Sequence, residues 1–338
     1  MPGNRFRRPG VAGEVTTSAA ARETGIDWTD IHARHRPELL GYSYRMLGSA
    51  VDAEEAVQET MLRAWRARDG FAGRSSPRVW LYRIATNVCL DMLRRRPRRE
   101  RPIDVADAGA ATSSLGPADH ARWVQPAPDD WLLPAATDPA RTAVLHDSVR
   151  LAFVAALQSL SPMQRAVLIL RDVLEFSAAE TADLLDLTVA AANGHLRRAR
   201  SRLAEGSTPP EPAELTERQR ELLERFIDAF QRYDVAALTA LLHHDATLSM
   251  PPHSLWLAGR DAVAHWFRRD PQPCRSAHIV RTRANGSPAF AIYHRDPDRS
   301  DLRAFAIAIP TVDDDSVISI EIHITPSLFP LFGLADAM

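Results

Sequence analysis

The chain has 338 residues, an apolar share of 45%, a charged share of 25% and a formal net charge of −2. Length alone suggests two or three domains. No apolar run approaches the ~18–20 residues of a membrane-spanning helix, and Gly10 to Ala21 is not the apolar block of a signal peptide. Two cysteines, Cys89 and Cys274, make neither a disulfide framework nor a zinc site, so a reducing cytoplasm is the expected compartment. All 41 basic residues are arginine, which looks like the codon bias of a GC-rich genome. Charge by segment is more telling. Residues 26–101 hold 15 Arg against 10 Asp/Glu, whereas 102–140 hold one Arg against six acids. A basic block followed by an acidic spacer points to an anionic partner.

Residues 1–25 lack periodicity and read as a disordered leader. Helical patterning begins near Trp28 and fills a first module, 26–101. In Asp52-Ala-Glu-Glu55 an N-cap precedes an acid at the third helical position. The helix runs to about Arg68, with Val57, Met61 and Trp65 as its expected buried stripe. Glu54, Glu55, Gln58, Glu59 and Arg63 lie opposite, with Glu59 and Arg63 a favourable i,i+4 pair; on spacing alone this is a solvated face. Ser76-Pro77 should start a second helix ending near Arg95. Leu81, Ile84, Ala85, Val88 and Leu93 form its apolar stripe. Trp80, Arg83, Asn87 and Arg94 lie on the other face, a stacking plane beside charge and an amide. That combination holds single-stranded bases, though Trp80 could equally pack on a neighbouring helix. Six arginines between Arg94 and Arg101 suit phosphates or a solvated tail.

Residues 102–140 carry six prolines and no sustained period, so they read as an acidic linker. Trp123, Trp131, Leu132 and Leu133 are too apolar for a purely solvated spacer, so part of it should dock. Helical patterning returns over 141–205. Ser161-Pro-Met-Gln164 and Ser177-Ala-Ala-Glu180 are capping boxes, starting helices through Leu170 and Leu185. After a turn at Asp186-Leu187, Thr188 can cap a helix ending near Leu203, with Ala192, Leu196, Ala199 and Leu203 buried. Short helix, tight turn and basic helix are the order of a helix-turn-helix, an outline many helical hairpins share. Residues 206–216 form a second linker. Two helices follow (Glu217–Tyr233, Val235–His243), then β-rich runs at Thr247–Met250, Ala277–Arg283, Ala289–His294, Arg303–Pro310 and Val317–Ile324. The expected architecture is multidomain: two all-α domains, the second with a helix-turn-helix, then an α+β domain over 217–325 and an apolar tail over 326–338.

Taken in order, these motifs resemble a known family. Asp52-Ala-Glu-Glu-Ala-Val-Gln-Glu-Thr-Met-Leu-Arg-Ala-Trp65 resembles the core-binding helix of bacterial sigma factors. Phe71 to Asn87 looks like their promoter-melting helix. Leu160–Arg165, Phe176–Ala182 and His195–Arg200 look like the domain that reads the −35 element. Over 27–205 this is the layout of the extracytoplasmic-function sigma factors of the sigma-70 family. The resemblance implies that Asp52, Glu55, Gln58, Glu59 and Arg63 dock on the β′ clamp of core RNA polymerase. It implies that Trp80, Arg83, Thr86 and Asn87, with Arg94 and Arg95, hold the opened −10 element. Thr188, Ala191, Asn193, His195, Arg197, Arg198 and Arg200 would meet −35 promoter DNA. The β flap would be a further polymerase contact, and the linker would thread toward the RNA exit path. Asp186, where Gly is common, and Gly194 inside the recognition helix depart from the pattern.

Residues 217–338 exceed that layout. Phe226–Leu238, Leu241–Ala246, Met250-Pro-Pro252 and Trp256–Ala262 resemble the SnoaL-like branch of the NTF2-like fold, a curved sheet forming a conical pocket. The fold hosts enzymes and binding modules alike. Met250, Trp256, Trp266, Phe267 and Tyr293 are candidate pocket lining, with core packing as the competing role for most of the first four. Asp228, Tyr233, His243, His244, Asp245, His253 and His265 are further titratable groups, but spacing identifies no acid–base pair and no metal site. His243-His244 is expected on a helix and Asp245 in a turn. The expectation is a sigma factor without catalysis or cofactor, regulated in cis by its extension, with the tail as an intramolecular latch and no membrane partner. The rivals are a helix-turn-helix regulator acting without polymerase and an enzyme fused to DNA-binding modules.

Overall fold

A computed structural model describes residues 28–71, 73, 75–132, 148–205, 215–269, 274–275, 277–295 and 301–338. The leader at 1–25, the helical restart at Arg141, Leu133 and most of the 206–216 linker lie outside the described residues.

The first module is three helices: α1 (Trp28–Leu47), α2 (Ala50–Ala67) and α3 (Pro77–Arg95). Ser76 caps α3 by accepting from Val79 N, with Pro77 at the first position. The cap of α2 is Ser49, three residues earlier than Asp52. Asp52 is instead 5% exposed, and its carboxylate takes both Arg96 and, at 2.8 Å, Arg99. The expected stripe on α2 also differs. Ala50, Ala53, Ala56, Val57, Thr60 and Ala64 face inward, Met61 is half-buried and Trp65 is 54% exposed. Small side chains let α1 and α3 approach closely, which pushes the bulky residues to the outer face.

Between the modules, α4 (Pro102–Val105) and α5 (Asp129–Leu132) are single turns in the linker. The second module contains α6 (Leu151–Leu157), α7 (Pro162–Leu168), α8 (Ala178–Leu184) and α9 (Val189–Glu205). Both capping boxes form, Ser161 with Gln164 and Ser177 with Glu180. Beyond Leu168 the chain continues as a π-turn, Ile169–Val173, rather than an α-helix to Leu170. Asp186 adopts φ +53°, the left-handed turn that Asp tolerates. Ala192, Leu196 and Ala199 are the buried stripe of α9, with Leu203 half-buried.

The third module opens with α10 (Glu217–Gln231) and α11 (Val235–Leu241). Six strands follow: β1 (Leu242–Ser249), β2 (Trp256–Ala258), β3 (His278–Ala284), β4 (Ser287–Arg295), β5 (Leu302–Val312) and β6 (Val317–His323). Their order is β2-β1-β6-β5-β4-β3, with β1 and β6 parallel. Helix α12 (Arg260–Arg268) covers β1. Strand β1 starts at Leu242, so His243, His244 and Asp245 lie on a strand and not on a helix or turn. Phe226, Phe230, Phe267 and Phe290 pack together and fill the inside of the curved sheet.

The modules share their cores. Leu81, Tyr82 and Ala85 of α3 join Val167, Leu168 and Phe176 of the second module in one cluster. The outer face of the sheet (Ala289, Ala291, Tyr293, Ile307, Ile309) packs on Tyr44, Ala50 and Ala53 of the first. The C-terminal tail sits in that same layer: Leu328 and Phe329 are fully buried, and Phe329 meets Tyr293 edge-on at 5.0 Å.

Candidate nucleic-acid and polymerase interfaces

On α2 the polar face is knitted by ion pairs. Glu59 pairs with Arg63 at 2.7 Å, Gln58 donates to Glu54 at 3.2 Å, and Glu55 pairs with Arg96 at 2.7 Å. Glu55 and Gln58 stay exposed, Glu59 and Arg63 are half-exposed, and Asp52 is buried. Beside this face lies a groove of about 450 Å³, lined by Ile31, Gln58, Met61, Leu62, Trp65 and Leu81 among others. Leu62 is 50% exposed, and Arg68 stacks on Trp65 at 4.0 Å. Trp65, expected in the buried stripe, lies instead on the outer face with Leu62. A row of exposed large apolar residues on one helix is the signal of an unmet partner.

The residues assigned to the −10 element are divided. Trp80 is half-buried against Phe71, with ring centroids 5.1 Å apart. Arg83 reaches across to the second module and donates to both Asp183 Oδ2 (2.8 Å) and Asp183 O (2.7 Å). Thr86 is 1% exposed, its hydroxyl engaged by Tyr42 and Tyr82 O, so no partner reaches it in this arrangement. Asn87 and Arg95 are exposed; Arg94 is exposed and pairs with Asp91. The rest of the arginine tract is largely structural. Arg96 and Arg99 hold Asp52, and Arg101 chelates Asp104 through two bonds of 2.9 Å.

Helix α9 presents Asn193, Arg197, Arg198 and Arg200 outward, with Ala191 and His195 half-buried. Thr188 caps the helix through Ala191 N at 3.1 Å. Burial, then the nearby Arg198 charge, lowers the His195 pKa and favours the neutral ring. Arg200 is held bidentately by Asp172 at 2.7 and 2.9 Å. Between Arg197, Arg198 and Asn193 the helix offers charge and an amide on one exposed face, the chemistry that meets phosphates and base edges.

The linker docks along the third module, as its apolar content required. Trp123 Nε1 donates to Pro252 O, Trp256 Nε1 to Ala106 O, and Arg269 to Ala111 O and Ser113 O. At its far end the hairpin tip Asn285-Gly286, with φ +54° and +76°, enters the junction of all modules. Positive φ at both residues suits a two-residue hairpin turn. Asn285 is 1% exposed. Its Oδ1 accepts from Ala127 N, and its Nδ2 donates to Tyr44 Oη and Val149 O. One side chain thus joins the first module, the linker, the start of the second module and the sheet.

The expected pocket residues do not line one cavity. Met250 is core, Trp256 binds the linker, Trp266 lies under Arg269, and Tyr293 faces the opposite side of the sheet, donating to Ala335 O. The aromatic filling of the cone displaced the pocket. A cleft of about 520 Å³ lies elsewhere, between α10 and the ends of β3, β4 and β5. The titratable candidates are dispersed: Asp228 faces Arg281, Tyr233 donates to Phe267 O, and His253 Nδ1 meets Gly116 O. Among the described residues one group could hold a metal, His243, His244 and Asp245, whose ligand atoms lie within 4.8 Å of one another. They are already engaged with each other, Asp245 N to His243 Nδ1 and His244 Nε2 to Asp245.

Comparison with known proteins agrees with this division. Residues 31–99 match the sigma-70 region 2 family, 150–203 the sigma-70 region 4 family, and 223–320 the SnoaL-like domain. The chain is 41% identical over 317 residues to the ECF RNA polymerase sigma factor SigG of Mycobacterium tuberculosis, covering 90% of this chain and 83% of that one. It is 30% identical over 218 residues to SigJ of the same organism, 63% of this chain and 62% of that one. The crystal structure of M. tuberculosis SigJ shares the fold, with a TM-score of 0.58 at 23% identity over 91% of this chain and all of that chain. From the two sigma-70 regions, the SnoaL-like domain and the identity along nearly the whole length, the chain belongs to the ECF RNA polymerase sigma factors, with a SnoaL-like extension at its C-terminus.

Proposed function

We propose that the outer face of α2 is the main contact with core RNA polymerase, centred on Leu62 and Trp65 and rimmed by Glu55, Gln58, Glu59 and Arg63. The observation that carries this is the exposed apolar groove beside an acidic rim. An aromatic anchor within a polar rim is the anatomy of an interface hot spot. Asp52 supports that face from within, through Arg96 and Arg99, and makes no contact itself. Trp80, Arg83 and Asn87 take the opened −10 strand once Arg83 leaves Asp183, while Asn193, Arg197, Arg198 and Arg200 meet the −35 duplex. The protein acts by binding and performs no chemistry of its own. Its site of action is wherever the polymerase is, and a cytoplasmic protein fits that.

The SnoaL-like domain restrains this activity in cis. Support for restraint by that domain comes from two contacts: the linker is bound along the third module, and the tail is wedged behind α2. The test is equilibrium binding of fluorescent full-length chain to core polymerase. Leu62→Ala with Trp65→Ala should weaken it by at least ~10-fold, on the scale of ~1.4 kcal/mol per decade. Arg260→Ala, remote from the groove, should leave it unchanged. Equal affinity of the double variant and the parent would refute the assignment.

A further inference from the structure

The cleft of about 520 Å³ beside α10 has a mixed lining, with Gln219, Arg220, Glu224 and Arg281 along α10 and β3 in addition to an apolar part and a basic end. Its floor is apolar, with Leu215, Leu223, Ile227 and Val312. One end is formed by Arg150, Arg283 and Gly286, at the hairpin tip that joins the modules. Two of these groups, Arg283 and Gly286, already bind a carboxylate. Asp129 of the linker accepts from Arg283 Nε at 2.8 Å and from Gly286 N at 2.7 Å. Its side chain is 11% exposed. A guanidinium and a backbone N–H converging on one carboxylate make a head-group receptor, which is stronger than a neutral pair. The volume lies in the range of small-molecule sites. Glu224 and Asp228 engage Arg281, so the arginine of β3 that faces the linker is Arg283.

We propose that this cleft is an effector site for an amphipathic carboxylate, with its head at Arg283 and Gly286 N–H and its apolar body along Leu223 and Ile227. The linker's own Asp129 is the resident competitor. A ligand carboxylate displaces it, and the segment Trp123–Leu132 loses one of its two anchors on the hairpin, keeping only the pairing of Ala127 with Asn285. The coupling is reciprocal: whatever frees Asp129 makes the receptor more available to the ligand. This inference rests on the reading that the third module restrains the linker. Its test contains neither polymerase nor promoter, so its failure leaves the polymerase reading standing.

The experiment is titration calorimetry of the full chain with octanoate, against octylamine and acetate as charge and body controls. Hydrogen exchange of residues 123–132 is followed in parallel. Octanoate is expected to bind saturably, octylamine not at all, and acetate at least ~10-fold more weakly; exchange over 123–132 rises with occupancy. Asp129→Ala should tighten octanoate by about 10-fold, and Arg283→Gln should weaken it by at least that factor. Hydrogen exchange of the parent chain keeps the test decisive if a variant fails to fold. Octylamine binding as well as octanoate, affinity unchanged in Arg283→Gln, or exchange over 123–132 indifferent to saturating octanoate would each overturn the proposal.

Discussion

Replacing Asn285 by glycine tests whether one side chain holds the modules together. Glycine keeps the positive φ of the hairpin tip, so the backbone turn is undisturbed. What is lost is the amide. Ala127 N loses its bond to Oδ1 and Val149 O loses its bond from Nδ2. Tyr44 Oη keeps its own bond to Gln125 O at 2.8 Å, so two groups are orphaned rather than three. Each orphaned buried group costs about 1–3 kcal/mol, and the two together about 2–6 kcal/mol. Even the lower figure is about 25-fold in a local opening equilibrium. The assay is hydrogen exchange over residues 123–132 and 284–287, with far-UV circular dichroism to confirm that the modules stay folded. Protection over both segments should fall together by at least ~20-fold. A change below about threefold, in a chain that remains folded, would show that the apolar layer alone holds the modules and that this hub is incidental.

Asp183→Ala removes the carboxylate that holds Arg83 and leaves only the bond to the carbonyl of residue 183, and binding of single-stranded −10 DNA should strengthen by about 3- to 10-fold, read by anisotropy; unchanged affinity would mean that the ion pair does not compete with DNA. Asp52→Ala leaves Arg99, which is 6% exposed, without its carboxylate and should destabilise the first module by about 3–5 kcal/mol in urea unfolding, whereas Glu55→Ala should cost under about 1 kcal/mol. Phe329→Ala empties a fully buried site between the sheet and the first module and should cost about 3–5 kcal/mol, with early proteolysis of the tail. In the second module, the Ser177 hydroxyl and backbone N–H hold the Glu180 carboxyl below its ordinary pKa. A depressed folded pKa gives stability that is present above the unfolded value of ~4.3 and is lost as pH falls through the folded one. A carboxylate NMR titration should therefore place Glu180 below that value, and Ser177→Ala should raise it.

Much of the helical architecture was legible because its signals are local. Ser76-Pro77, the two capping boxes and the left-handed Asp186 each depend on residues within a single turn. The α2 stripe was misjudged because its buried residues are mostly alanine, which carries little weight beside Met61 and Trp65 in a hydrophobic period. Strand β2 has three residues, too few to show alternation, and the π-turn after Leu168 has no propensity signature. The roles of Asp52, Thr86 and Asn285 were illegible for a different reason. Their partners lie far along the chain; those of Asn285 are 136 to 241 residues away. Family resemblance can propose that Thr86 faces DNA, but only packing reveals that Tyr42 covers it.

Run-off transcription tests the central claim most directly. Core RNA polymerase would be mixed with the full chain or with Asn285→Gly, on a promoter library. A sigma factor restrained by its own extension predicts discrete, promoter-specific transcripts that depend on the chain, with higher yield from Asn285→Gly. Duplex binding by both chains with no transcript from either would contradict it and favour a regulator that works without polymerase.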